Sequence, residues 1–281
     1  MKYAICNEMF ESWNTESGFN FARCFAFVAE CGYEGVEVAP FTIAPQISGI
    51  SNSTRMEIRR IAAGEGIQIT GLHWLLAKTS GYYLTSPDRD IRKRTAEYFC
   101  DLARLCSDLG GQFMVLGSPN QRSLLPGVEM EQAEDYAIEV LEKTLPVLEQ
   151  HGVKIAVEPL TAKETDFITT ARSAVELINR IGTIEHIALH LDCKAMCGDE
   201  EPIPDLIKRY KNELIYFHAN DPNLGGPGFG ELRFEPILQA LYDIGYDGWV
   251  SSEPFDYSPG VEKIAKAGLE CMKDAENSCK R

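Results

Sequence analysis

The stretch 152–160, G-V-K-I-A-V-E-P-L, decides how the rest of the chain is read. Val153, Ile155 and Val157 alternate with Lys154 and Ala156, the pattern of a short buried strand dominated by β-branched residues. Glu158 ends the run, and Pro159 stops the ladder because it has no N–H to give. A carboxylate at the end of an apolar strand is costly unless its charge is compensated, and a metal ion is one such compensator. The stretch 248–255, G-W-V-S-S-E-P-F, repeats the design and ends in Glu253-Pro254. Between them lie 187–192 (I-A-L-H-L-D) and 214–218 (L-I-Y-F-H), apolar runs that close on Asp192 and His218. Successive candidate ligands stand about 30 residues apart, roughly the length of one strand–helix unit.

Working outward, eight strand-like runs appear at 3–6, 35–38, 67–72, 112–116, 153–157, 187–191, 214–217 and 249–252. Helical patterns separate them. Phe21, Cys24, Phe25 and Val28 share one helix face, and Gly32 is the expected stop. Ile58 and Ile61 lie in a second helix closed by Gly64 and Gly66. Ser86-Pro87-Asp88 reads as cap, first-turn proline and dipole-friendly acid for a long helix that ends at Gly110-Gly111. Further helices are expected over 136–150, with a kink or break at Pro146, and over 170–181, 205–210, 235–243 and 261–277. Alternating strands and helices imply a parallel α/β sheet, and eight such units imply closure into a single-domain (β/α)8 TIM barrel spanning residues 1–281. The runner-up, a doubly wound open sheet, lacks a G-x-G-x-x-G after the first strand. Gly225, Gly226, Gly228 and Gly230 mark a flexible loop after the seventh strand.

Composition sets the outer limits. The 281 residues are 44% hydrophobic, enough for one large core. A net charge of −15 repels nucleic acid and anionic membrane surfaces. No stretch has the length of a membrane span, and the N-terminus M-K-Y-A-I-C-N-E-M-F has no apolar signal region. Nine scattered cysteines without a C-x-x-C fit reduced thiols in a cytoplasmic protein, and Cys193 with Cys197 is by itself no zinc site. A homo-oligomer is compatible with the sequence.

In a barrel of this kind active sites sit at the C-terminal strand ends. Glu158, Asp192, His218 and Glu253 fall there, on strands five to eight. Two glutamates, an aspartate and a histidine form an oxygen-rich set suited to one divalent ion, Mn²⁺ foremost, with Mg²⁺, Co²⁺ or Zn²⁺ as the other candidates.

The motifs V-E-P-L at 157–160, H-L-D at 190–192, F-H-A-N-D at 217–221 and S-E-P-F at 252–255 resemble those of the xylose isomerase-like TIM barrels. This is the sugar phosphate isomerase/epimerase superfamily, which includes the ketose 3-epimerases, inosose dehydratases, hydroxypyruvate isomerases and endonuclease IV. The resemblance runs from Gly35-Val36-Glu37 to Glu253. It implies that Glu158, Asp192, His218 and Glu253 bind the ion and that Glu158 and Glu253 move the proton. The implied reaction is isomerisation or epimerisation of a sugar or sugar phosphate, by proton abstraction next to a carbonyl and through a metal-stabilised enediolate. A dehydratase-like lyase acting on a keto-polyol or oxidised sugar shares the first step and is the alternative. A phosphodiesterase of the endonuclease IV type would need a histidine-rich site and a basic face, and five histidines with a charge of −15 oppose both. A non-catalytic sugar-binding barrel would not need two metal-bound glutamates.

Two positions depart from the ketose 3-epimerase pattern. Ala195 stands three residues after Asp192, where those enzymes have a substrate-binding histidine, and Leu224 stands six after His218, where they have an arginine. Candidate substrate contacts are therefore sought elsewhere: Lys194, Glu164, His73 at the end of strand three, Glu37 at the end of strand two, and Arg122 in G-S-P-N-Q-R as a site for a phosphate or substrate acid. His190 shares a face with Asp192 and is expected to support the ligands from behind.

Overall fold

The computed structural model describes residues 1–199 and 201–279. Eight parallel strands, β1 (Lys2–Cys6), β2 (Gly35–Val38), β3 (Gln68–Leu72), β4 (Phe113–Leu116), β5 (Lys154–Val157), β6 (Ile187–Asp192), β7 (Leu214–Ala219) and β8 (Trp249–Ser252), pair in sequence order. β8 then pairs with β1, from Lys2 opposite Trp249 to Ile5 opposite Ser252, so the sheet closes on itself. This excludes the open doubly wound sheet.

The helices among the described residues are α1 (Phe21–Cys31), α2 (Pro40–Ile43), α3 (Asn52–Gly64), α4 (Arg89–Leu109), α5 (Met130–His151), α6 (Ala171–Ile181), α7 (Cys193–Met196), α8 (Ile203–Arg209), α9 (Phe234–Asp243) and α10 (Val261–Asn277). None is long and apolar enough to cross a membrane. All nine cysteines are free thiols.

Local chemistry explains the ends. Phe21, Cys24, Phe25 and Val28 are the buried face of α1, and Gly32 closes it in the left-handed region at φ 93°. Thr170 and Ser173 cap α6 reciprocally. Three expectations shift. The cap of α4 is Asp88, whose carboxylate takes the N–H groups of Asp90 and Ile91, while Ser86 only supports the N–H of Asp88. α5 begins earlier, at a capping box of Glu129 and Gln132, and runs unbroken through Pro146. Proline removes one N–H from the ladder, and the buried face of Ala137, Val140, Leu141, Thr144 and Leu148 keeps the helix together around it. The glycine-bearing loop after β7 is pinned rather than loose: the Asp221 N–H donates to Gly225 O at 2.9 Å and Asp221 Oδ2 accepts from Leu232 N at 3.0 Å.

Strand alternation then sorts side chains into two sets. Ile155, Val157, Leu189, Leu191, Phe217 and Val250 join the main core beneath the helices. The opposite parity places Ala4, Val115, Ala156, Tyr216 and Trp249 in a second, smaller cluster that fills the barrel, where Thr70 Oγ1 and Tyr216 Oη lie 2.7 Å apart. One step further along that inward parity, at the C-terminal ends, stand Cys6, Glu37, Glu158, Asp192, His218 and Glu253, none of them more than 6% exposed. The fold thus delivers one polar layer, at the mouth that the apolar filling leaves open.

Candidate active site

Glu253 is the hub of this layer. Its Oε2 lies 2.9 Å from His218 Nδ1 and its Oε1 3.2 Å from His73 Nδ1. His218 Nε2 is held by Glu37 Oε2 at 2.9 Å. Asp192 pairs in register with His218 across β6 and β7. Its Oδ1 caps the N–H of Ala195 at 2.7 Å, and its Oδ2 accepts from Asn220 Nδ2 at 2.5 Å. Glu158, His190, Asp192 and His218 each offer a ligand atom within 4.8 Å of the others. Glu253 meets the same histidine at Nδ1, opposite Glu37 at Nε2. His190, expected behind the ligands, stands among them, with Nε2 at 3.9 Å from Glu158 Oε1 and neither ring nitrogen hydrogen-bonded.

The electrostatics separate the two glutamates. Burial first, then Glu253 and Asp192, push Glu158 well above the usual carboxylate range. Burial also works to raise Glu253, but His218 and His73 outweigh it and hold Glu253 far below that range. Asp192 is pushed up to about 6 by burial and by Glu253. Burial and His218 drive His190 well below the ordinary histidine value, so its ring is neutral. A buried set of carboxylates that cannot all ionise, beside neutral imidazole nitrogens without partners, fits a divalent cation. The Glu37–His218 bond is the arrangement that orients a ligating imidazole.

A pocket opens onto these groups, lined among others by His73, Trp74, Glu158, Glu164, Lys194 and Phe255, with Glu253 at its base. Lys194 Nζ lies 2.6 Å from Glu164 Oε1 and 4.4 Å from the centre of the Phe255 ring. Burial works against the Lys194 ammonium, but Asp192 and Glu164 more than offset it and raise its pKa above the usual lysine value. Glu164 Oε2 is taken by the Thr161 hydroxyl and N–H. Lys194, Glu164 and His73 line the pocket. Glu37 does not line it and acts on His218 instead.

Arg122 is a correction. It is 1% exposed and spends its guanidinium on three carbonyl oxygens, with Nη1 on Leu116 O and Glu158 O at 3.1 and 2.7 Å and Nη2 on Ile168 O at 2.8 Å. Three of its five N–H donors are so used, and Arg122, Nε included, is buried and does not line the pocket, out of reach of a phosphate or substrate acid there. Ala195 contributes its backbone N–H to Asp192, and Leu224, at φ 72°, gives its carbonyl to the N–H groups of Phe255 and Asp256.

Several residues escaped the sequence reading. Glu8 lies in the 3-10 turn after β1, with Oε2 at 2.9 Å from His73 Nε2. Asn220 ties Asp192 to the N–H of Lys194. Trp74 stands edge-on to Phe255, 6.2 Å between ring centres, at φ 52°. Gly117 is required by a close approach: a Cβ there would overlap Glu158 Oε2. Gly117→Ala is expected to leave the melting temperature within about 3 °C of wild type, because a flexible carboxylate can swing aside, yet to lower kcat at least about tenfold. Thermal melts and kinetics on the same preparation check this.

The comparisons with known proteins agree with this fold. The family model described as xylose isomerase-like TIM barrel matches residues 25–275. The chain is 27% identical over 257 residues to the D-psicose 3-epimerase of Ruminiclostridium cellulolyticum, covering 91% of this chain and 84% of that protein. It is 26% identical over 267 residues to the D-psicose 3-epimerase of Agrobacterium fabrum, covering 93% and 87%. The crystal structure of D-psicose 3-epimerase with D-tagatose from Clostridium cellulolyticum H10 superposes with a TM-score of 0.84 at 24% identity, over 98% of this chain and 99% of that one, which shows the shared fold. Fold, strand-end site and relatives together define an enzyme of the carbohydrate isomerase and epimerase class. The chain belongs to the xylose isomerase-like TIM barrel family.

Proposed function

We propose that this chain is a divalent-metal-dependent isomerase or epimerase of an unphosphorylated sugar, working by proton transfer at the carbon next to a carbonyl. The observation that carries the reading is a pair of buried glutamates, Glu158 and Glu253, that face one pocket from strand ends three steps apart around the barrel. Two carboxylates that reach one substrate carbon from opposite sides can act as base and as conjugate acid in turn. Glu158, Asp192, His218 and Glu253 would hold the divalent ion, Mn²⁺ first, which when bound polarises the substrate carbonyl and acidifies the neighbouring C–H.

Glu253 removes the proton from one face of the carbon. Glu158, three strands away around the ring, returns a proton to the other face, and the carbon inverts. Return to the adjacent carbon gives the isomer instead. Lys194 donates a hydrogen bond to a substrate oxygen from its place between Glu164 and the Phe255 ring. Trp74 and Phe255 offer an apolar wall to the sugar's C–H face. Among the described residues lining the pocket, Lys194 is the one Lys or Arg, and Glu164 already neutralises it, which favours a neutral substrate.

The test is turnover of a panel of unphosphorylated ketoses and oxidised sugars in D₂O with Mn²⁺ present. Solvent deuterium is expected at the carbon next to the carbonyl, with activity lost in EDTA and restored by Mn²⁺. Product formed with no solvent label, or full activity in chelator, would overturn the reading. Elimination of water would replace it with the lyase.

A further inference from the structure

One buried cluster takes no part in that chemistry. Glu8 is 6% exposed, and neither of its carboxylate oxygens accepts a hydrogen bond. His73 Nε2 faces Glu8 Oε2 at 2.9 Å and also makes no hydrogen bond, because the pair lies out of line for one. The other ring nitrogen, Nδ1, is bonded to Glu253 Oε1 at 3.2 Å. Burial works to lower the His73 pKa, but Glu8 and Glu253 outweigh it and raise it to about 10, so without a cation a ring proton stands between Nε2 and Glu8, out of line for a hydrogen bond. A cation seated there would take that proton's place and meet the lone pair directly. Neighbouring ligands about 2.1 Å from one cation stand about 3.0 Å apart in octahedral and about 3.4 Å apart in tetrahedral geometry, so the 2.9 Å seen here fits the first and would open by about half an ångström for the second. The sulfur of Cys6, at the end of β1, lies with these groups, all ligand atoms falling within 4.8 Å of one another. A histidine that ligates through one nitrogen while a carboxylate holds the other is the usual form of a metal-bound imidazole.

We propose that Glu8, His73 and Cys6 form a second cation site, behind the substrate pocket and distinct from the Glu158–Asp192–His218–Glu253 site. One oxygen, one nitrogen and one sulfur donor suit Zn²⁺ or Co²⁺ better than Mn²⁺ or Mg²⁺. A surface groove lined by Glu8, Glu11, Ser12 and Tyr257 lies on one side of the cluster, and His73 faces the substrate pocket on the other. Bound there, the ion fixes His73 and through it the orientation of Glu253. The inference stands on these contacts and not on the proposed reaction.

The experiment loads metal-free protein with Zn²⁺ alone and counts tightly held equivalents after dialysis, in wild type, Glu8→Gln and Glu158→Gln. The expected result is one equivalent that Glu8→Gln removes and Glu158→Gln keeps. Absence of such an equivalent overturns the site and leaves His73 as a protonated ring clamped between two carboxylates. Failure of the other metal site shows separately, as a Glu158→Gln count equal to wild type. If Glu8→Gln does not fold, Glu8→Asp serves: it keeps the charge, shortens the reach and should weaken this equivalent at least about tenfold without touching the other. An unchanged affinity in Glu8→Asp counts against the site.

Discussion

Glu253→Gln is expected to lower turnover at least about a thousandfold and to abolish solvent deuterium exchange at the substrate carbon. Removing a general base typically costs 10²–10⁴-fold, and here the same side chain orients two histidines. Glutamine cannot accept the proton. Its amide also offers one acceptor oxygen where the carboxylate offers two, so one of the bonds to His73 Nδ1 and His218 Nδ1 is lost or reversed. Metal content of the variant must be measured beside the rate, since loss of the ion alone would stop the reaction. A variant that keeps its Mn²⁺ and still exchanges deuterium at the wild-type rate would remove Glu253 from the role of base. Glu158→Gln provides the contrast. Burial and the neighbouring acids disfavour the charged form of Glu158, whereas His218 and His73 favour that of Glu253, so an uncharged amide is the milder change at Glu158. Proton abstraction, read as loss of the substrate C–H, is expected to survive better in Glu158→Gln than in Glu253→Gln, while product formation falls in both.

Much of this site could be read in the sequence because strand parity is rigid. Once 153–157 and 249–252 are strands, Glu158 and Glu253 follow on the inward face, and their prolines mark where pairing ends. Asp192 and His218 come with them, although β6 and β7 run on to include both residues and so seat them within the ladder. What stayed hidden lies beyond the regular elements. Glu8 sits two residues past β1 in a 3-10 turn, where no alternation says which way a side chain points. Asn220 follows β7 directly, and its polarity alone gives no reason to pair it with Asp192. The start of α4 was misplaced by two residues because Ser86 and Asp88 both have capping chemistry, and the longer loop ending at Asp88 was set by contacts from outside it. Tyr83 N bonds to Thr95 Oγ1, and Arg92 holds the carbonyls of Ser86 and Pro87.

Arg122 shows the same limit with the largest stability consequence. G-S-P-N-Q-R has the composition of an exposed turn, yet Ser118 at φ 46° bends it back and Leu84 N fastens it through Gln121 O at 2.8 Å. The arginine is thereby driven inward, where burial lowers its pKa to about 10, still charged at neutral pH. It survives there because Leu116 O, Glu158 O and Ile168 O surround it. Hydrogen bonds from a charged donor are worth about 1.5–3 kcal/mol each, and truncation would also leave three buried carbonyls without this partner and a void. Since such losses do not add fully, Arg122→Ala is expected to cost about 4 kcal/mol, which for a domain of this size is a fall in melting temperature on the order of 10 °C. Arg122→Lys should rescue little of it, because one ammonium cannot span the β4 end, the β5 end and the loop at Ile168 in the guanidinium's planar fork. The Glu158 carbonyl is one of the three acceptors, so the variants should also lose activity at temperatures where they remain folded. A variant melting at the wild-type temperature would show that these bonds contribute no net stability. Wild-type protein should show no affinity for inorganic phosphate that Arg122→Ala removes, because the guanidinium is buried and three of its donors are bonded to backbone carbonyls, that of Glu158 among them.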